Sequence, residues 1–461
     1  MSTTERAGTP RRAAAAGRVP PGPRWTATPS LIKMLAMDRL GMMTTAARYG
    51  DAVRLAIGPK SMYFFNHPDY AKHVLTDNSD NYHKGVGLKQ ARRALGEGLL
   101  TSEGDLWRKQ RKVVQPAFQH KRISRQADAV VEEAGKLVAR LRARAGGPPV
   151  DVVQEMTGLT LGVLGRTLLD ADLSAHGSIG RAFEAVQDQA MFEMVSQGVV
   201  PMWLPLPKQL RFRRARRELE RIVGALVSER GARFDAGDDA LSRLILSVRR
   251  ETDPKVGRQR LRDELVTLLL AGHETTASTL GWSFYLLDRH PEVLGRVRAE
   301  VTEVLGDRVP VFEDLHGLVY TGMVVQEAMR LYPPVWLLSR IAQADDEVGG
   351  YHVPAGSDVL VSPYTMHRHR ELWGDSAEEF DPDRFDPDNP QARPRFAYIP
   401  FGAGPRFCVG NHLGMMEATF VLAMVVRELR LTTVPGHRVV PEPMLSLRIR
   451  GGLPMTIRPA T

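Results

Sequence analysis

The sequence predicts a mainly α-helical fold with a minor β region. Apolar residues recur at helical spacing through eight segments, roughly 125–145, 152–169, 178–197, 208–235, 239–250, 262–290, 291–305 and 319–331. The alternation that marks strands is confined to short stretches near 52–65, 340–361 and 444–458. No repeat is present, and 43% hydrophobic with 25% charged residues is an ordinary globular composition.

The elements follow in chain order. Residues 1–25 are rich in Ala, Arg, Pro and Gly and hold no apolar run long enough for a signal sequence or a membrane anchor. They predict a flexible tail with Pro20-Pro-Gly-Pro23 as a stiff entry to the fold, and a soluble, cytoplasmic, bacterial protein. A mitochondrial presequence is the weaker alternative, because serines are few. Alternating residues at 52–57 and 61–65 around Gly58-Pro59-Lys60 predict a β-hairpin, followed by a short helix over 68–75. The helical pattern takes over from Leu106. Pro201 to Pro207, with Trp203, interrupts two helices and reads either as a loop over a binding cavity or as a connector. Net charge is +9, which admits an acidic partner, but no nucleic-acid motif accompanies it.

The chain has one cysteine, Cys408. A lone thiol excludes an intramolecular disulfide and metal sites built on several cysteines. It leaves a buried inert thiol, a nucleophile or a single thiolate ligand. Glycines at 402, 404 and 410 let backbone approach closely and aim N–H groups at an anionic sulfur, which an ordinary core cysteine does not need.

Phe401, Gly404, Arg406, Cys408 and Gly410 reproduce the F-x-x-G-x-R-x-C-x-G signature, and here the sequence resembles the cytochrome P450 family of haem-thiolate monooxygenases. The resemblance implies the cytochrome P450 fold, a helical domain with small sheets around a buried haem, spanning residues 26–461 as one domain. Length alone would suggest two or three. It also implies haem b as cofactor, with the Cys408 sulfur as axial iron ligand favouring O–O cleavage. Arg406 would pair with a haem propionate, Phe401 would pack near the sulfur, and Gly402 and Gly410 would complete the loop. Gly414 stands where the family usually has alanine, which predicts slightly looser helix packing.

The segment 262–290 is a helix whose middle reads Ala271-Gly-His-Glu-Thr-Thr276. Polar residues at the centre of an apolar helix cost free energy unless they are bonded or used, and Gly272 with the threonines weakens the local ladder enough to predict a bulge. The string resembles the family's [AG]-G-x-[DE]-T-[TS] motif, in which Thr275 is the alcohol and Glu274 the acid of proton delivery. His273-Glu274 also begins like the zinc motif H-E-x-x-H, but position 277 is Ala.

Glu327 and Arg330 are neighbours on one helical face. With Pro333-Pro334 after them and Arg384 downstream, they resemble the family's Glu-Arg-Arg network, a structural lock holding the cysteine loop. Trp107 and Arg111 resemble its W-x-x-x-R propionate-binding element, and Arg340 is a further propionate candidate. Arg108, Lys109 and Lys112 form a solvated basic face, which in the family receives an acidic electron-transfer partner. His367, His369 and His412 read as surface or local structural residues.

The expected function is insertion of one atom of O2 into a C–H or C=C bond of an apolar small molecule. No G-x-G-x-x-G fingerprint is present, so electrons are expected from a ferredoxin and its reductase or from a flavodoxin. By resemblance the substrate cavity is lined from 82–103, 178–210, Leu268 to Ala271, Val335, Trp336, Leu337, Leu338 and Leu445. Leu95-Gly-Glu-Gly-Leu-Leu-Thr101 with Gly104 and Gln115-Pro-Ala-Phe118 resembles fatty-acid and terpenoid hydroxylases more than the macrolide group, which implies a fatty acyl or terpenoid substrate. A peroxide-using enzyme and a haem sensor or carrier rank lower, because neither needs the Glu274–Thr275 pair.

Overall fold

The computed structural model describes residues 17–24, 27–57, 60–173, 177–196, 199–231, 239–249, 251–388 and 393–460. Helices α1 (Thr28–Met37) and α2 (Arg39–Ala47) precede the hairpin strands β1 (Ala52–Ile57) and β2 (Lys60–Phe65). Then come α3 (Pro68–Lys72), β3 (Tyr82–Lys84), α4 (Leu88–Leu95), α5 (Gly104–Val114), α6 (His120–Ala143), β4 (Val150–Asp151) and α7 (Val152–Leu164). The middle of the chain is helical: α8 (Ser178–Val195), α9 (Pro207–Gly231), α10 (Ala240–Val248), α11 (Pro254–Arg289), α12 (Pro291–Leu305) and α13 (Val319–Leu331). Strands β5 (Leu338–Ala342), β6 (Asp346–Val348), β7 (Tyr351–Val353) and β8 (Asp358–Val361) lead to the short helices α14 (Pro363–Met366) and α15 (Arg370–Trp373). The chain closes with α16 (Asn411–Glu428), β9 (Leu429–Thr433), β10 (Pro441–Pro443), β11 (Leu447–Ile449) and β12 (Pro454–Pro459).

Local chemistry sets the bounds of α11. Asp253 accepts from the Lys255 N–H at 2.7 Å, and Pro254 occupies the first turn, where no intrahelical N–H is lost. The helix stops before Pro291, which disfavours helical geometry at His290. Its 36 residues span ~54 Å at 1.5 Å per residue. It packs against α7, α10, α13 and α16, so its central turns are enclosed.

One five-stranded sheet has the order β1-β2-β8-β5-β3. Its β2–β8 pair is parallel, and β3 runs antiparallel to β5 with Lys84 opposite Arg340. A three-stranded sheet, β4-β12-β9, ties the chain's C-terminal strand to the turn before α7. The main apolar core lies among α6, α7, α11, α13 and α16, with Trp282, Phe420 and Leu280 fully enclosed.

Several expectations on elements are corrected. The long helix begins at Pro254, not 262, because the cap at Asp253 lies among polar residues that carry no apolar period. Helices α1, α2, α4 and α16 escaped the periodicity reading. In α16 nearly every residue from Met416 to Val426 is buried, so apolar residues occupy all faces and no 3.6-residue period survives. The end of the expected flexible tail is docked: Arg18 bridges Tyr351, the His352 N–H donates to the Arg18 carbonyl at 2.9 Å, and the Arg54 N–H donates to Pro21 O at 2.8 Å. Residues 1–16 and 25, and Gly58-Pro59 of the hairpin turn, lie outside the described residues. Among the described residues no helix is long and apolar enough to cross a membrane.

Candidate active site

The cysteine loop is a sequence of tight turns leading into α16. The Gly402 N–H bonds Ile399 O at 3.0 Å, the Phe407 N–H bonds Gly404 O at 3.0 Å, and the Cys408 N–H closes on Phe401 O at 3.0 Å. Gly404 has φ +65°, and a Cβ there would sit 1.9 Å from the Leu75 carbonyl oxygen, so only glycine fits. Phe401 and Phe407 pack edge-on with ring centroids 6.3 Å apart. The Cys408 side chain is accessible while enclosed by the loop and α5, so it faces an internal cleft. Burial pushes its thiol pKa up, whereas the Gly410 N–H and the Arg111 guanidinium act the other way. Thiolate is therefore favoured only when a further positive centre sits against the sulfur, as a metal ion would.

Around the loop, cations outnumber anions. Arg406 donates to Ser102 O at 2.9 Å, pairs with Glu103 and lies 4.1 Å from the Trp107 ring centroid. Arg340 is buried, and Lys84 opposes it on the adjacent strand. Burial pushes Arg340 and Arg406 down to about 10, the Arg406 charge adding to the effect at Arg340 and the Arg111 and Arg108 charges at Arg406, and Lys84 is lowered by burial and by both Arg340 and Arg406. Glu103 is the acid these three share, and its Oε1 is taken by the Lys84 backbone N–H at 2.5 Å. Arg406 Nη1 is buried without a partner. An excess of buried positive charge with an orphaned donor fits a cofactor carrying carboxylates, as haem does, so the residues present fit the implied group. Arg111 and Trp107 sit together as expected, with the ring under the guanidinium at 5.9 Å, but Arg111 Nη1 spends a donor on Phe407 O at 2.7 Å. It clamps the cysteine loop directly.

The polar cluster of α11 is anchored. Glu274 accepts from Gln187 Nε2 at 2.7 Å on both oxygens and from Ser446 Oγ at 2.6 Å. The Thr275 hydroxyl donates to Ala271 O at 2.9 Å, which leaves its lone pairs free to accept from a group in the cleft. The helix stays α-helical through this turn; the expected bulge is absent, because that hydroxyl bond supports the Ala271 carbonyl without displacing the ladder. His273 turns away from the cleft. Its Nδ1 bonds Leu269 O, its ring packs on Phe183 at 5.3 Å, and burial lowers its pKa. It is a neutral core residue.

Glu327 and Arg330 are fully buried and paired through two bonds of 2.6 and 2.7 Å. Arg330 also donates to His367 O, Ala377 O and Glu379 O. Arg384 sits farther off, 3.7 Å from Glu327, and spends its other nitrogens on Trp373 O and Ser376. The connection to the cysteine loop runs through residues that the motif did not name. His367 Nε2 accepts the Ile399 N–H at 2.9 Å, and Tyr398 donates to Gln326 O at 2.9 Å. His367 is thus an interior bridge and not a surface group. His369 bonds Asp51 at 2.8 Å, and His412 is exposed.

Of the cavity residues expected, Ala271, Val335, Leu337, Leu338 and Leu445 are at least partly accessible. Leu268 is buried in the main core, and Trp336 is buried among Met42, Met43 and Leu447 with its indole N–H on Met444 O at 2.9 Å. Gly414 faces Thr276 with room for a methyl group at 3.7 Å, so the departure from alanine leaves the packing undisturbed. Sequence reading missed Lys84, Glu103, Gln187 and Ser446. Only Gln187 carried a signal: an amide at a core register position between Phe183 and Met191 on an otherwise apolar helix face.

Comparison with known proteins agrees with this geometry. The profile of the family described as Cytochrome P450 matches residues 20–456. Cyclooctatin synthase of Streptomyces melanosporofaciens is 37% identical over 90% of this chain and 90% of its own. Cyclooctat-9-en-7-ol 5-monooxygenase of the same organism is 35% identical over 90% and 92%, and pentalenene oxygenase of Streptomyces avermitilis 34% over 87% and 89%. A cysteine loop under a surplus of buried cations, an acid and an alcohol on the long helix, and a match along nearly the whole length lead to one conclusion: the chain belongs to the cytochrome P450 family and is a haem-iron monooxygenase.

Proposed function

We propose that this protein hydroxylates or epoxidises a terpenoid in secondary metabolism, as a bacterial cytoplasmic haem-thiolate enzyme of one catalytic domain over residues 26–461. The observation that carries the reading is Cys408, held by the turns of 399–410 with the Gly410 N–H on its sulfur side. The terpenoid arm rests on relatives whose names specify oxygenation of pentalenene and of cyclooctat-9-en-7-ol. The mainly apolar residues expected to line the cavity accord with it.

The cofactor in this reading is haem b. With one cysteine the chain lacks the C-x-x-C-H pair for covalent attachment, so the group is held by ligation and charge alone. Cys408 would ligate its iron, and Arg406, Arg340, Lys84 and Trp107 would hold its carboxylates. When bound, the haem supplies O2 activation, the thiolate favouring O–O cleavage. The chain's own residues do the rest. Glu274, held by Gln187 and Ser446, is the proton source, and Thr275 accepts a hydrogen bond from what occupies the cleft and passes the proton inward. Glu327, Arg330, Arg384 and His367 keep the loop in register. The electron donor is a ferredoxin or flavodoxin docking on the basic face of Arg108, Lys109 and Lys112.

The test is a spin-state titration of the holoprotein with cyclic terpenes and terpene alcohols, fatty acids and macrolides. Shifts are expected with the terpenoids; shifts confined to fatty acids or macrolides overturn the substrate class.

A further inference from the structure

Glu103 plays no part in the reaction as described, yet its carboxylate lies among the cations that would hold the haem. It occupies the N-cap of α5 with extended backbone, φ −133° and ψ 167°, and its side chain makes no capping bond to the helix. A capping residue normally gives its side-chain oxygen to the first free N–H groups of its own helix. Here the carboxylate turns away from α5: Oε1 accepts the Lys84 backbone N–H at 2.5 Å, and Oε2 pairs with Arg406 Nη2. The Glu103 side chain is 19% exposed, so water and salt screen this pair far less than a surface one.

Arg406 is gripped from one short stretch of chain. Ser102 O accepts from Nη2 at 2.9 Å, Glu103 takes the same nitrogen, and the Trp107 ring, one turn on, has its centroid 4.1 Å from the guanidinium carbon. These contacts orient the guanidinium and leave Nη1 as its buried, unpartnered donor. The charges point the same way. Glu103 is the acid common to the surroundings of Lys84, Arg340 and Arg406, and Arg406 is also acted on by Arg111 and Arg108. Without that carboxylate, like charges would face one another in a buried cluster. A haem brings two carboxylates of its own, which offset part of the excess, and Glu103 offsets more.

We propose, resting on the haem site described above, that Glu103 is the resident counter-ion of the haem-carboxylate cations: it positions Arg406, and its negative charge holds the reduction potential of the haem iron down. Reduction by the external donor adds one electron, and so one negative charge, at the iron. A fixed anion in a poorly screened interior opposes that step. A purely structural role at the start of α5 would need the side chain's bonds and would be indifferent to its charge.

Redox titration of the holoprotein, followed in the Soret band at matched spin state, tests this without substrate or turnover. Glu103→Gln keeps an oxygen for the Lys84 N–H and removes the charge. Its midpoint should move positive by roughly threefold to tenfold in the ferric–ferrous equilibrium, about 30–60 mV for one electron. Glu103→Asp keeps the charge and should stay near the parent. Asp105→Asn removes the same charge two residues on, from a side chain that is 88% exposed, and should leave the midpoint where it is. An unmoved midpoint in Glu103→Gln, or an equal shift in Glu103→Asp or in Asp105→Asn, overturns the proposal. Loss of haem from Glu103→Gln with retention in Glu103→Asp supports the role of charge, whereas loss from both makes the residue structural and overturns it. A parent that takes up no haem refutes the reading of the site itself, so the two failures are told apart.

Discussion

Individual side chains in the site act through partners far away in the chain. Glu274 is held by an amide 87 residues upstream and a hydroxyl 172 residues downstream, which fixes its carboxylate between α8 and the turn before β11. Thr275→Ala removes the acceptor and should uncouple electron consumption from product by roughly tenfold or more, with peroxide released and haem retained. Unchanged coupling, measured as product per NADPH consumed with a surrogate reductase, contradicts the relay. At Gly404 the backbone itself is the constraint. Gly404→Ala places a methyl group 1.9 Å from Leu75 O at φ +65°, so holoprotein yield should fall sharply, as read from the haem-to-protein absorbance ratio. Cys408, Glu274 and Thr275 were legible in the sequence because each sits in a short local string. Lys84, Gln187 and Ser446 were not, because their place depends on which distant segments the fold brings together.

Elements are joined by buried polar contacts more than by surface pairs. The Glu327–Arg330 pair is inaccessible to water, and removing one partner leaves a charge uncompensated, so Arg330→Met should cost about 3–5 kcal/mol in chemical denaturation. His367 carries the lock to the cysteine loop. The Ile399 N–H can only donate, so Nε2 is unprotonated and Nδ1–H faces Arg330 O. Burial, with Arg330 beside it, pushes His367 down to about 3 from 6.5. Between those values the unfolded chain binds the proton that the folded one refuses, so stability falls with decreasing pH at about 1.4 kcal/mol per unit. His367→Gln should flatten that acid limb in denaturation curves taken across the window; an unchanged slope contradicts the assignment. The lock's charged residues were legible through their resemblance to the family's Glu-Arg-Arg network, and the histidine was not, because nothing in His367-Arg-His369 distinguishes an interior ring from an exposed one. Helix α16 was likewise hidden by its own burial, which erases periodicity, whereas α7 kept enough of a polar side to be found.

Across the whole molecule, α11 is the common support. Its Asp263 and Glu264 accept the Glu97 and Leu99 backbone N–H groups at 2.8 and 3.0 Å, pinning the loop after α4 to the helix that carries Thr275. Burial pushes Glu264 up to about 8 from 4.5, and Asp263 beside it adds to the effect. A carboxyl raised on folding stabilises fully at low pH, and its contribution is lost as pH rises toward 8. Glu264→Gln should therefore gain stability relative to the parent between pH 5 and 8, by a few kcal/mol at the upper end; a difference independent of pH contradicts this. Fold class was legible because helical periodicity dominated the middle of the chain, and the reaction type because the cysteine string is specific. The docked segment 17–24 was not, since its bonds to Arg54 and His352 are backbone bonds, indifferent to sequence.

The central claim is thiolate ligation of haem iron by Cys408, and the reduced carbon monoxide difference spectrum of the holoprotein tests it most directly. The account predicts the strongly red-shifted band of a thiolate-ligated haem, lost in Cys408→His with haem still bound. A parent spectrum with the band of an imidazole-ligated haem, or a Cys408→His variant that keeps the parent's band, would contradict it.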